Sequence, residues 1–483
     1  MNHPSTYRNQ RVVVLGLARS GVSVAKVFHN AGALVVVNDR NDRQQCPEAE
    51  ELETLGIEVI CGSHPEGLVT SDTELLVKNP GIPYHVPPVQ DALAQGIEVV
   101  TEVEVAGKLT TAPMIGITGS NGKTTTTTWV GELLADAGIH AIVAGNIGRP
   151  LCEAAQEVQE GDWIVAELSS FQLKGTTDFA PRIAALLNVV ETHLDYHGGM
   201  TDYIASKAKL FANQRPQDTA VFNWDDAICR RLAEQCAGRK LPFSLAERLQ
   251  EGVFIEPPYP AAYAGADLSG GDQQGEPQRH MMYRDSQGTL HTIVAVDELG
   301  IPGKHNAANA MAAAAICLAA GVAPALLARP LRDFRAVEHR LEFTCTKQGV
   351  HYYNDSKATN PTATIMSVQS LKGDIVLIAG GLDRGSDYME LLPLLKNRIK
   401  AIVLLGETRH KLQHVAELAG LADVEVVEPV DSAEATLSAA VQAAAAFARE
   451  GDTVLLSPAC ASWDMFKSYE QRGDMFKHSA HTL

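Results

Sequence analysis

The residues best equipped for chemistry stand together in Gly116-Ile-Thr-Gly-Ser-Asn-Gly-Lys-Thr-Thr125, between an apolar run and a helical pattern. Glycine lets a backbone wrap with its N–H groups turned inward. In such a turn the Lys123 ammonium can neutralise β- and γ-phosphate oxygens, and the Thr124 hydroxyl can sit on Mg²⁺. The candidates for gripping a nucleoside triphosphate are Gly116, Gly119, Ser120, Asn121, Gly122, Lys123, Thr124 and Thr125. Strict phosphate loops want glycine where Ile117 stands, so the pattern is a variant; a purely structural glycine turn is the competing reading.

Carboxylates follow nearby. Glu167 ends the apolar run Trp163–Glu167, which puts it at the carboxyl edge of a sheet, where ligands of open α/β folds collect and where an acid can hold Mg²⁺. Residues 188–195, Asn-Val-Val-Glu-Thr-His-Leu-Asp, repeat that placement after the run 183–189, with His193 and Asp195 in the loop beyond; they suggest a second metal position. Lys207 lies on a helical pattern and, by residue type alone, reads as a solvated lysine. A second glycine turn, Gly16-Leu-Ala-Arg-Ser-Gly21, is similar to G-x-G-x-x-G, and Asp39 ends the next strand about where a ribose-binding acid would lie. Ala18 adds a methyl where a pyrophosphate would approach, which leaves NAD(P), a different nucleotide-bearing ligand and a structural turn as readings. Four C-terminal clusters, 338–340, 354–360, 380–385 and 456–464, sit at strand ends and form a candidate binding rim. Cys460 lies in the last of them without an indicated His partner, which argues against a nucleophile.

Positioning these groups takes alternating strands and helices. Short apolar runs at 12–15, 34–37, 58–61, 75–77 and 98–100 predict a parallel sheet ending near residue 105. Runs at 114–118, 163–167, 183–189 and 219–223, with helices over 124–137 and 306–320, predict a second unit. The stretch 251–288 carries six glycines and four prolines with little periodicity and reads as a surface excursion. Runs at 375–379, 401–405 and 453–456 predict a third α/β unit from about residue 337. The fold class expected is therefore α/β in three domains, 1–105, 106–336 and 337–483, and 483 residues suffice for three cores.

Forty basic against fifty-eight acidic residues leave a net charge of −18, which excludes a bulk-charge grip on nucleic acid or anionic lipid. Eight scattered cysteines with no C-x-x-C pair fit reduced thiols. No stretch is apolar enough for a membrane span or a signal sequence, so a cytoplasmic protein is expected.

Taken in order, Gly-Ser-Asn-Gly-Lys-Thr-Thr at 119–125, Gly145-Asn-Ile-Gly148, Glu167-Leu-Ser-Ser-Phe-Gln172, the 188–195 segment, His305-Asn-Ala-Ala-Asn309, Glu338-His-Arg340, Asp355-Ser-Lys-Ala-Thr-Asn360 and Ser457-Pro-Ala-Cys-Ala-Ser462 resemble the Mur ligase family over nearly the whole chain. The resemblance implies a Rossmann-like N-terminal domain for a UDP-sugar, a central P-loop ATPase domain, and a Rossmann-like C-terminal domain for an amino acid. It implies ATP and two Mg²⁺ held by Lys123, Thr124, Glu167, His193 and Lys207, with Lys207 matching a lysine that the family carries as a carbamate. Asn309, Arg340 and Asp355 would also touch the nucleotide. Gly16, Ala18, Asp39, Arg40, Asn79 and Gly81 would face UDP-N-acetylmuramoyl-L-alanine, Asn146 that substrate or the phosphates, with Ser169 and Gln172 also among the substrate contacts. Lys357, Thr359, Arg384, Ser457 and Phe466 would form the D-glutamate pocket or its approach; at Arg384 the family more often shows lysine. The implied enzyme is a monomer adding D-glutamate through an acyl phosphate, a reading favoured by Glu-Leu-Ser-Ser-Phe-Gln-Leu and by the absence of Asp-Asn-Pro-Arg. The alternatives are a Mur-type or folylpolyglutamate-type ligase using another amino acid, a nicotinamide-dependent oxidoreductase built on the first glycine turn, and a non-catalytic nucleotide sensor.

Overall fold

The structure, a computed structural model, describes residues 1–192, 194–260, 277–335, 337–371 and 373–483. Three sheets follow one another along the chain. The first holds β1 (Arg11–Leu15), β2 (Leu34–Asp39), β3 (Glu58–Cys61), β4 (Thr73–Lys78) and β5 (Glu98–Val100), all parallel in the order β3-β2-β1-β4-β5. Strand order reverses between β1 and β4, the place where open α/β sheets leave a crevice for ligands. The helix Arg19–Asn30 turns Val24, Val27 and Phe28 onto this sheet, each at most 4% exposed. Burying a side chain of that size stabilises by roughly 1.5–3 kcal/mol.

The second sheet holds β6 (Met114–Thr118), β7 (Ala141–Gly145), β8 (Trp163–Glu167), β9 (Ile183–Leu186), β10 (Thr219–Asn223), β11 (Arg239–Ser244), β12 (Gly252–Glu256), β13 (His280–Arg284) and β14 (Leu290–Ala295). Their order is β14-β13-β12-β11-β10-β9-β6-β8-β7. β6 lies inside the sheet between β9 and β8, wholly buried, and Gly116 within it is a packing residue. A Cβ there would sit 2.7 Å from Leu210 Cδ1.

The third sheet holds β15 (Glu342–Lys347), β16 (Val350–Asn354), β17 (Ile375–Ala379), β18 (Ile399–Leu404), β19 (Asp423–Val426) and β20 (Thr453–Leu456), in the order β15-β16-β20-β17-β18-β19. All pairs are parallel except β15 with β16. That reversal sets Glu342 opposite Asn354, so residues before β15 share an edge with residues after β16, β17 and β20. The chain divides into two compact units. The first carries the N-terminal and central sheets, including 279–296 and 308–332; the second carries 333–483 together with 297–307. No helix among the described residues is long and apolar enough to cross a membrane.

Two expectations change. The excursion expected at 251–288 is sheet at both ends: β12 and β13 pair antiparallel, and residues 261–276 between them lie outside the described residues. The run expected at 183–189 ends as strand at Leu186, because the Asn188 side chain exchanges hydrogen bonds with the backbone of Asn121 and draws the chain toward the glycine turn.

Candidate functional site

Directly after β6 the chain enters the turn 119–122 and then the helix Lys123–Asp136. Gly122 makes the entry with φ +82°, and a Cβ there would lie 2.2 Å from Asn309 Oδ1. Asn309 and the turn are thus in contact, as the resemblance implies. Ser120 and Asn121, both half-exposed, also fix the turn. Ser120 N donates to Asn188 O at 3.0 Å, the Val190 N–H donates to Ser120 Oγ at 2.9 Å, and the Asn121 N–H donates to Asn188 Oδ1 at 2.8 Å.

Two ammonium groups share one carbonyl here. Lys123 Nζ donates to Gly119 O and Ser120 O, each at 3.0 Å, and Lys207 Nζ donates to the same Gly119 O at 2.8 Å. Lys207, expected from its type to be solvated, is 1% exposed on the helix Met200–Ala212. Burial, reinforced by the charge of Lys123, holds its amine well below the ordinary lysine range. The Tyr203 ring lies 4.6 Å from Lys207 Nζ, and the Tyr203 hydroxyl is 2.8 Å from Ser120 Oγ. Tyr203 escaped the sequence reading, although its place one helical turn before Lys207 was the available signal.

On the neighbouring strand Glu167 is 1% exposed. Its Oε1 accepts from Asn146 Nδ2 at 2.8 Å, while Oε2 is buried with no hydrogen-bond partner among the described residues. Gly145, at φ +105°, lets this approach happen: a Cβ would lie 2.4 Å from Glu167 O. A buried carboxylate oxygen lacking a donor, with the Thr124 hydroxyl on the first turn of the adjacent helix, fits a divalent cation. Thr125 is buried on the same turn. Ser169 and Gln172 form a capping box, Ser169 N donating to Gln172 Oε1 at 2.9 Å and Gln172 N to Ser169 Oγ at 3.3 Å. His193 lies outside the described residues.

The first glycine turn opens a different site. A cavity of about 520 Å³ is lined by Gly16, Ala18, Asp39, Arg40, Asn79 and Gly81, by Asn38 beside them, and also by Cys46 and His64, which sequence reading had not assigned to a site. Gly16, at φ +97°, would bring a Cβ to 2.4 Å from Asn79 Nδ2; at Gly21 a Cβ would meet Gly16 O at 2.0 Å. Asp39 Oδ2 accepts the Leu17 N–H at 2.8 Å and Oδ1 the Asn41 N–H at 2.9 Å. This acid braces its own loop, which weakens the dinucleotide reading in which it would take a ribose.

In the second unit Asp355 is 2% exposed and accepts from Ser457 Oγ at 2.7 Å and from Leu341 N at 3.1 Å. Burial pushes its carboxyl up to about 6 against the opposing charge of Arg340. Ser457 is buried in this network, and Phe466, 5% exposed, packs in a core cluster with Leu437 and Phe476. Lys357 Nζ lies 5.1 Å from the Tyr469 ring, and Thr359 is half-buried. Arg384, exposed, stacks its guanidinium 5.0 Å from the exposed Trp463 ring. Sequence reading missed Arg472, 1% exposed, which donates to Ser356 Oγ, Ser356 O and Cys460 O and so pins the rim from below. Cys460 is buried between Thr408 and Tyr388, and burial raises its thiol.

Comparisons agree with this organisation. Three family models match in chain order: "Mur ligase MurD-like, N-terminal domain" over 10–101, "Mur ligase middle domain" over 117–317, and "Mur ligase, glutamate ligase domain" over 339–460. A protein of Geobacillus sp. (strain WCH70) named UDP-N-acetylmuramoylalanine--D-glutamate ligase is 43% identical over 484 residues, with 100% of each chain covered. One of the same name from Bacillus cytotoxicus is 40% identical over 483 residues, again with 100% of each chain covered. The solved UDP-N-acetylmuramate-alanine ligase MurC of Thermotoga maritima shares the fold at TM-score 0.58 and 17% identity, over 98% of this chain and 99% of that one. The chain belongs to the Mur ligase family.

Proposed function

We propose that the protein is an ATP-dependent ligase that joins D-glutamate to UDP-N-acetylmuramoyl-L-alanine in peptidoglycan precursor synthesis. The observation that carries this reading is the pairing of Lys123 and Lys207 on the Gly119 carbonyl, in a chain whose full-length relatives bear that ligase name. Lys123 sets an ammonium on the turn where a polyphosphate would lie, and burial favours the unprotonated amine of Lys207, the form that adds CO₂.

In the reaction, the alanyl carboxylate attacks the γ-phosphorus of ATP; the bond to the ADP oxygen breaks and an acyl phosphate forms. The D-glutamate amine then attacks the acyl carbon, loses a proton, and phosphate leaves as the amide forms. Two anions meet in the first step, and Lys123 offsets their repulsion and the charge that develops on the transferring group. Thr124, Glu167, His193 and a carbamate formed by CO₂ on Lys207 would hold two Mg²⁺, which when bound supply further charge neutralisation. The buried setting of Lys207 against the turn supports its inclusion. His193 is our candidate for taking the amine proton. Arg340, Asp355 and Asn309 are assigned to the nucleotide, the 520 Å³ cavity to the UDP-sugar, and Lys357, Thr359 and Arg384 to D-glutamate. Ser457 and Phe466, both buried, would support that pocket from behind. We assign the domains as 1–105, 106–336 and 337–483, and the active form as a cytoplasmic monomer.

The test is phosphate release by the purified protein with ATP and UDP-N-acetylmuramoyl-L-alanine against a panel of amino acids. D-glutamate alone should support it; release with meso-diaminopimelate or lysine in its place would overturn the assignment.

A further inference from the structure

Lys78, the last residue of β4, is 1% exposed, yet among the described residues its ammonium makes no ion pair. It donates instead to three oxygens: Asn79 O at 3.3 Å, Pro80 O at 3.2 Å and Tyr196 Oη at 3.2 Å. The Tyr196 hydroxyl in turn donates to Pro80 O at 3.0 Å and lies 3.4 Å from Ile82 O. Carbonyls of three residues in the loop 79–82 are therefore held by one amine and one phenol, and Asn79, Gly81 and Ile82 of that loop line the 520 Å³ cavity.

The clamp is itself braced. The Phe171 ring meets Tyr196 edge-on with centroids 4.4 Å apart, and Tyr84 lies under Lys78 at 4.8 Å and under Lys174 at 5.1 Å. Lys174 is paired with Asp202 at 2.8 Å. A buried ammonium with no carboxylate is costly, and such groups persist where their hydrogen bonds fix something. The loop fixed here also contacts the first glycine turn, for Asn79 N donates to Leu15 O at 2.8 Å and Asn79 Oδ1 accepts from Ser20 Oγ at 3.2 Å.

We propose that Lys78 and Tyr196 are positioning residues for the nucleotide-sugar substrate, holding the loop 79–82 as a preformed wall of its cavity. This rests on the reading of that cavity as the UDP-N-acetylmuramoyl-L-alanine site. Neither side chain lines the cavity, so each acts through the loop backbone.

Tyr196→Phe removes one oxygen and leaves the ring packing; Lys78→Met keeps the length of the side chain and removes the donors, so either variant tests the clamp if the other fails to fold. Calorimetric titration of the full chain with UDP-N-acetylmuramoyl-L-alanine should show a Kd raised roughly five- to tenfold in Tyr196→Phe and more in Lys78→Met, as expected for one and several lost hydrogen bonds. In turnover, KM for that substrate should rise in step, with kcat and the KM for ATP within about twofold of wild type, a split that general loosening would not give. An unchanged Kd in a folded variant, or an equal rise in the KM for ATP, would overturn the positioning role. Wild-type protein that fails to bind the substrate at all would instead defeat the functional reading, and this inference with it.

Discussion

The central site and the C-terminal rim both place buried polar groups at the carboxyl ends of parallel strands, but they balance those groups differently. Around the glycine turn two lysines converge on one carbonyl and a carboxylate oxygen of Glu167 has no donor among the described residues. At the rim Asp355 is satisfied by a hydroxyl and a backbone N–H, Ser457 is locked beneath it, and Arg472 turns Nε and Nη2 onto protein oxygens, although its buried Nη1 has no hydrogen-bond partner among the described residues. Unbalanced charge in a dry site destabilises the fold unless a ligand completes it, whereas a satisfied network rigidifies its surroundings. The first arrangement is suited to binding charged reactants; the second is a scaffold, near which we propose that the half-buried Lys357 and the exposed Arg384 meet D-glutamate.

That contrast can be broken by substitution. Lys123→Ala should lower kcat by roughly 10²- to 10³-fold or more, the scale of losing one preorganised electrostatic stabiliser, while the melting temperature changes little, because the half-buried Lys123 meets the turn through two carbonyl oxygens. A large loss of stability with modest loss of turnover would erase the distinction between the two regions. Glu167→Gln should follow the same pattern with a smaller loss of turnover and a raised Mg²⁺ requirement, read by titrating the metal in the assay.

At the rim the effect should fall on stability. Asp355 carries a folded-state pKa of about 6, above its ordinary 3.8, because burial disfavours the anion. A raised carboxyl adds stability that is fully present below its unfolded pKa and lost as pH climbs through the folded one. Wild type should therefore lose up to about 3 kcal/mol relative to Asp355→Asn between about pH 4 and pH 6. The check is the difference between their unfolding free energies across that window; parallel curves would contradict it. The smallest effect belongs to the exposed Arg384. Arg384→Lys keeps the charge but loses the planar stack on Trp463, so the KM for D-glutamate should change only a few-fold, within about 1 kcal/mol, with no change in melting temperature.

The glycine turn was legible because its parts are adjacent in the chain: an apolar strand, spaced glycines, Lys123 and Thr124, then a helix. The three-sheet α/β organisation was legible for the same reason, since buried parallel strands read as short apolar runs. Lys207 by its letter looked solvated, because burial depends on Gly119 and Thr118, which lie 88 and 89 residues away. β12 and β13 were hidden among glycines and prolines, being short edge-side strands around a long intervening stretch. Ser169 and Gln172 spell S-x-x-Q, a pattern readable as a helix cap, and capping is what their side chains do. Phe466 was named only through the family resemblance, since its burial in one apolar cluster with Phe476 and Leu437 depends on packing that its letter does not show.

The most direct measurement uses UDP-N-acetylmuramoyl-L-alanine labelled with ¹⁸O in the alanyl carboxylate, turned over with ATP and D-glutamate. Ligation through an acyl phosphate requires one labelled oxygen to appear in each phosphate released. Unlabelled phosphate, with the displaced labelled oxygen recovered in water or in AMP, would contradict it.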